Sequence, residues 1–256
     1  MAEVVVFDCC DVAEIGKYVV ADKVRRCAGV SAFAAISLLP YIASIGVAVA
    51  LDLPVNVEVC QYTTGDIEYS FDGIGLTWSS FGVREACERA AYKYLLEGVV
   101  FVHDIISYIE IVMGGVGVET ALASLLGKSV IVVGMNNILV SKFNSAWFVV
   151  MRPLENIVLS EFEVDERTLD LFNEIGKKFI NDPFPALIEH SETIPKMFGA
   201  DEDILGVADR KGINAITTVS GYGNYYVGIS FSESDARLLA NYWRRYGPTI
   251  YSRVLV

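Results

Sequence analysis

Two carboxylates and a glycine-rich turn are the first residues that can do chemistry. Glu110 and Glu119 bracket Gly114-Gly115-Val116-Gly117. A carboxylate pair beside such a turn can hold a divalent cation and take a proton from an alcohol, or it can be the wetted face of two helices. Upstream, Gly73-Ile74-Gly75-Leu76-Thr77-Trp78-Ser79-Ser80 runs into a helix. Glycines let a backbone approach an anion closely, and amides at a helix start point toward it. The hydroxyls of Ser79 and Ser80 can add donors or face a magnesium ion, or they can simply cap the helix. A third stretch, Ala123 to Ser129, ends like a phosphate-binding P-loop. Leu122 stands where that loop needs glycine, and a helix enters where a strand should, so Lys128 reads as a surface residue.

These groups need elements to hold them. The helix after the Gly73–Ser80 segment carries an apolar stripe of Val83, Ala86, Cys87, Ala90, Ala91, Tyr94 and Leu95, and Gly98 stops it. Two shorter helices follow, about 104–112 and 119–126, then strands at 129–133, 138–140 and 147–151. No charged residue lies between Cys27 and Leu51. By length that run can cross a membrane, but Pro40 interrupts it and residues 53–59 come to alternate like a half-buried strand. Two buried strands around a loop are expected instead, and no membrane partner. Residues 4–7 read as a strand followed by a short helix, and Thr63 to Asp72 as a polar connection.

Pro153 marks the expected boundary between an N-terminal domain, 1–152, and a C-terminal domain, 153–256. Asp165 caps a helix in the second half, and helical pieces follow near 186–190 and 201–210. Then come a strand at 214–219, the tight turn Ser220-Gly221-Tyr222-Gly223, a strand at 225–230, a helix opened by Ser232-x-x-Asp235 and a last strand at 249–254. That order implies a ferredoxin-like half, and the fold class is α+β in two lobes.

Composition excludes other roles. The 256 residues are 53% hydrophobic, and 20 basic against 32 acidic side chains leave a net charge of −12. A nucleic-acid partner needs a basic stripe, and none is present. Cys9, Cys10, Cys27, Cys60 and Cys87 are odd in number and lack CxxC spacing, and His103 and His190 are the two histidines. These features argue against a structural zinc site and for a reducing, cytoplasmic setting. The start Met1-Ala2-Glu3 carries no basic segment of the kind a signal peptide has.

Several segments, in order from about residue 24, resemble the archaeal-type shikimate kinases of the GHMP kinase superfamily. Ile45 to Val55 is similar to that family's Gly-x-Ala-hydrophobic-x-hydrophobic-Asp-Leu-x-Val segment. Gly75-Leu76-Thr77-Trp78-Ser79-Ser80-Phe81 stands where the family has its ATP phosphate loop. Gly115 to Ser124 is similar to its Thr-Gly-Ala-aromatic-Asp-Asp-Ala-x-Ala-Ser. Gly212-Ile213-Asn214-Ala215 with Ser220-Gly221-Tyr222-Gly223-Asn224-Tyr225 resembles its late glycine turn. Residues 1–22 form an extension without counterpart. Trp78 replaces a serine, Asn224 a proline, and Glu119-Thr120 an Asp-Asp pair.

The resemblance implies a two-lobed GHMP-kinase-like fold and ATP-dependent phosphorylation of a small acid's hydroxyl, with shikimate the first acceptor expected. It implies that Gly73, Ile74, Gly75, Leu76, Thr77, Trp78, Ser79 and Ser80 cradle ATP, and that Ser80 and Glu110 hold Mg²⁺. Glu119 would be the catalytic carboxylate, with Ser220, Gly221 and Gly223 in the substrate or late-turn region. Another acceptor, or a catalytically silent binding protein on the same fold, remains the alternative.

Overall fold

The computed structural model describes residues 3–4, 19–21, 25–42, 44–134, 137–140, 143, 146–154 and 165–255. The expected helix after the first strand lies outside them. The charge-free run folds as two long antiparallel strands, β3 (Arg25–Leu39) and β4 (Ile45–Tyr62), joined by a short loop at Pro40. Among the described residues no helix is long and apolar enough to cross a membrane. Small and β-branched residues suit a strand buried on both faces, which is why the run lacks charge.

Around this pair, β1 (Glu3–Val4), β2 (Val19–Ala21), β5 (Ile67–Asp72), β6 (Val130–Val133) and β7 (Asn137–Val140) complete a sheet of order β1-β7-β6-β4-β3-β2, with β5 paired to the far half of β4. The expected polar connection at 63–72 is thus corrected: its second half is a strand. Its side chains are mostly exposed, so it lacks the apolar alternation that announces a strand. Between Phe33 and Ala34 the β3–β4 register shifts and passes over Asp52 and Leu53. The helix-facing positions of β4 change there from even, Ala48 and Ala50, to odd, Val55, Val57 and Val59. A bulge of this kind lets one long strand serve two different cores.

Three helices cover one face: α1 (Val83–Glu97), α2 (Val102–Met113) and α3 (Val118–Leu126). The expected stripe of α1 is buried as read, apart from a partly exposed Tyr94. Every residue of α3 is buried, Glu119 included. Lys128, just beyond it, is exposed.

A second sheet forms from β8 (Trp147–Met151), β9 (Ile216–Val219), β10 (Tyr226–Ser230) and β11 (Thr249–Arg253), in the order β11-β8-β10-β9 and antiparallel throughout. With α4 (Glu166–Asn181) and α5 (Pro183–Met197) after β8, and α8 (Glu233–Trp243) after β10, this is the ferredoxin-like arrangement. The short α6 (Glu202–Leu205) and α7 (Val207–Lys211) lead into β9. β8 precedes Pro153 in the chain but lies inside this sheet. Asp165 and Ser232 cap α4 and α8 through Thr168 N–H (2.8 Å) and Asp235 N–H (3.3 Å), as their spacing predicts.

His190 of α5 is fully buried between the layers. Its Nε2 donates to the Leu38 carbonyl of β3 (2.7 Å), and its Nδ1 pairs with the Thr218 hydroxyl of β9 (2.9 Å). Burial lowers its pKa to about 4, against the opposing pull of the Leu38 bond.

Candidate active site

The Gly73–Ser80 segment forms a tight 3₁₀ turn over Ile74–Trp78 and then extends into α1. Gly73 and Gly75 press against strand β4: a Cβ on Gly73 would stand 2.4 Å from the Pro54 carbonyl oxygen, and one on Gly75 2.5 Å from that of Leu53. Here glycine serves backbone-to-backbone approach. The Ser79 hydroxyl donates to the Gly75 carbonyl (2.8 Å) and accepts from Ala35 N–H (3.3 Å). The Ser80 hydroxyl, buried, accepts from Ser37 N–H (3.1 Å). Ile74 and Thr77 are exposed, Leu76 is partly buried and Trp78 belongs to the core.

The start of α1 meets the start of α3. Gly82 and Gly117 are their N-caps, both left-handed and without side-chain acceptors. A Cβ on Gly82 would lie 2.4 Å from the Gly117 carbonyl oxygen, so only glycine permits this contact. Two helix N-termini therefore converge, each with amides that no cap side chain satisfies. Such ends attract negative charge. On the 3₁₀ turn the Arg152 guanidinium donates to the Thr77 carbonyl (2.5 Å) and faces the Trp78 and Tyr225 rings. Among the described residues Arg152 makes no ion pair.

Glu119, in the first turn of α3, is fully buried. Its carboxylate accepts from the Tyr222 hydroxyl (2.9 Å) and from Tyr41 N–H (3.2 Å), and the Tyr222 oxygen in turn accepts from Gly117 N–H (2.8 Å). Burial pushes the Glu119 pKa up to about 7, against the opposing pull of these hydrogen bonds. The same burial and the neighbouring carboxylate push the Tyr222 phenol up, so the phenol donates and keeps its proton. Phe81, half exposed, sets its ring edge-on to Tyr222 at 5.4 Å. The wetted-face alternative for Glu119 is therefore wrong.

Glu110 of α2 has one buried carboxylate oxygen without a hydrogen-bond partner. Its charge, with partial burial the larger cause, raises the pKa of Tyr41. Tyr41 thus stands between the two carboxylates, bonded to one and near the other. In the late turn, Ser220 Oγ donates to Asn224 Oδ1 (2.7 Å), Gly221 N–H donates to the Ser37 carbonyl (2.8 Å) and Gly223 N–H to that of Ser220 (2.7 Å). The turn is thereby hung on β3, which brings Tyr222 to Glu119.

Sequence reasoning missed Arg152, Tyr41 and Tyr222 as participants. A tyrosine set between two turn glycines is a signal that could have found Tyr222. Nothing near Arg152 in the chain points to residue 77.

The two sheets, the helix layer and the junction of helix starts define an α+β fold of the GHMP-kinase type. Among solved structures, the chain is similar to mevalonate kinase from methicillin-resistant Staphylococcus aureus, over 90% of this chain and 100% of that one, at 12% identity and a TM-score of 0.59. It is similar to homoserine kinase from Cytophaga hutchinsonii over 94% and 98%, at 12% identity and a TM-score of 0.61. A phosphotransferase related to the CoA biosynthesis pathway matches over 89% and 96%, at 13% identity and a TM-score of 0.65. No protein-family model matches the sequence, and no curated protein matches it.

Proposed function

We propose that the chain is a GHMP-type small-molecule kinase that moves the terminal phosphoryl group of ATP to the hydroxyl of a small acid, shikimate being the acceptor to test first. The observation that carries this reading is the convergence of two uncapped helix N-termini at Gly82 and Gly117, next to the buried Glu119 carboxylate, whose pKa is pushed up to about 7. Phosphoryl transfer asks mainly for positioning and charge stabilisation. Amides of the first turns of α1 and α3 orient the phosphates, with the Gly73–Ser80 backbone as the outer wall. Glu119, held by Tyr222 and Tyr41, takes the acceptor proton at its carboxylate oxygen. Glu110, whose buried carboxylate oxygen has no hydrogen-bond partner, and Ser80 are the residues that would hold Mg²⁺, whose part would be to neutralise phosphate charge. Ser220, Gly221 and Gly223 keep the acceptor side in register through Tyr222.

The full burial of Glu119 and the internal bonding of Ser79 favour a second reading, a protein of this fold that binds a nucleotide without turning it over. A coupled ADP-release assay with Mg-ATP separates the two. Shikimate-dependent ADP release supports the kinase and its acceptor. Release with mevalonate, homoserine or pantoate but not shikimate keeps the kinase and replaces the acceptor. ATP binding with no release for any acceptor favours the second reading.

A further inference from the structure

The outer end of the β3–β4–β5 sheet holds a group of residues with no part in the proposed kinase site. Register sets Cys27 opposite Cys60, and Gly29 opposite Glu58, which in turn faces Ser70 of β5. Alternate residues of a strand share a face, so Cys27, Cys60 and Glu58 project from the same side of the sheet. The two cysteines form a disulfide with Cα atoms 4.1 Å apart, in a pair whose close spacing is that of a non-hydrogen-bonded antiparallel position. Both are buried, Cys27 3% and Cys60 6% exposed. Their sulfurs and a Glu58 carboxylate oxygen all lie within 4.8 Å of one another. A tetrahedral zinc site with Zn–S bonds of about 2.3 Å sets its sulfurs roughly 3.8 Å apart. Side-chain rotation at two cysteines freed from their bond covers that span without moving either strand.

We propose that Cys27, Glu58 and Cys60 form a redox-gated site for a thiophilic divalent cation of the zinc type, closed when the cysteines are joined and open when they are reduced. A dithiol reductant supplies the two electrons that break the S–S bond. It becomes a disulfide itself, and each cysteine sulfur gains one proton. The cation then replaces those two protons, which pass to solvent, while Glu58 adds one carboxylate oxygen and water takes the fourth position. Two thiolates favour zinc over magnesium or calcium, which prefer oxygen ligands throughout. A hollow of about 420 Å³ on the same face, lined by Gly29, Ser31, Asn56, Glu58, Ser70 and Asp72, reaches the carboxylate and gives the ion its access path. The missing side chain at Gly29, directly across from Glu58, leaves room there.

The test is zinc stoichiometry on the full chain, oxidised or reduced with dithiothreitol and desalted without oxygen. Cys9, Cys10 and Cys87 are present in every sample, so the difference from Cys27→Ser isolates this site. One equivalent more zinc on the reduced wild type than on reduced Cys27→Ser, and no difference between the oxidised forms, is the expected result. Cobalt in place of zinc should give a thiolate charge-transfer band that Cys60→Ser loses. Glu58→Gln leaves both thiols and should weaken zinc binding roughly tenfold. Equal zinc on reduced wild type and reduced Cys27→Ser overturns the proposal, and so does wild-type affinity in Glu58→Gln. None of these readouts uses ATP, so a failure here is distinct from a failure of the kinase reading.

Discussion

Glu119 and His190 are both fully buried ionisable side chains, and both tie the end of β3 to the second half of the molecule. Glu119 works through Tyr41 and Tyr222, His190 through Leu38 and Thr218. Their surroundings differ. His190 has one bond on each nitrogen and lies against core rings such as Phe179, 6.4 Å away. Glu119 stands where two helix starts meet, with a second carboxylate close to the same tyrosine. Burial moves the first group's pKa down and the second's up, and in both cases it favours the neutral form. The lesson is that a perturbed pKa marks burial, while its neighbours decide whether chemistry follows.

The comparison breaks most sharply if Glu119 proves dispensable. Glu119→Gln keeps the size and the Tyr222 bond but removes the base. It should lower kcat by about 10²–10⁴-fold while ATP affinity stays nearly constant. Steady-state assays beside an ATP titration check this, and an unchanged kcat removes Glu119 from the mechanism.

Stability against pH should show the two groups acting with opposite sign over nearly the same window. Glu119, raised from 4.5 to about 7, contributes stability below the ordinary carboxylate range that is lost as pH rises toward 7. His190, lowered from 6.5 to about 4, contributes stability above 6.5 that is lost as pH falls toward 4. Each full swing is on the order of 3 kcal/mol. Between about pH 4.5 and 6.5 the two contributions largely offset one another, so denaturant melts across pH 4–8 should show a shallow profile in the wild type and, in Glu119→Gln, a steeper loss of stability as pH falls. A pH profile that is unchanged in Glu119→Gln would place the titration elsewhere.

The smallest expected effect sharpens the other side. His190→Leu leaves the Leu38 carbonyl and the Thr218 hydroxyl without their partner and should cost about 1–3 kcal/mol. Turnover per folded molecule should not change, because His190 touches nothing at the helix-start junction. A lower melting point with constant kcat is the expected pair of results. A loss of kcat at full folding would make His190 more than a structural link.

Much of this was legible in the chain. The absence of charge from Cys27 to Leu51 told of buried strands, glycine and apolar spacing gave α1 and α3, and Asp165 and Ser232 announced their helices. These are local signals, because propensity, capping and periodicity act over a few residues. β5 was missed because an exposed edge strand has no apolar face to display. The Cys27–Cys60 pair was missed because spacing rules for cysteines apply along the chain, and these two meet only through strand register across 33 residues.

By itself, then, the sequence determined the element types and their order apart from β5, the glycine positions and the two carboxylates worth watching. Only the tertiary structure decided that Glu119 would be dry and that Tyr222 would hold it from 103 residues away. It likewise set Arg152 beside Thr77, and turned the hydroxyls of Ser79 and Ser80 inward to β3. A side chain's burial and its distant partners depend on how layers pack, and packing is a property of the whole assembled chain.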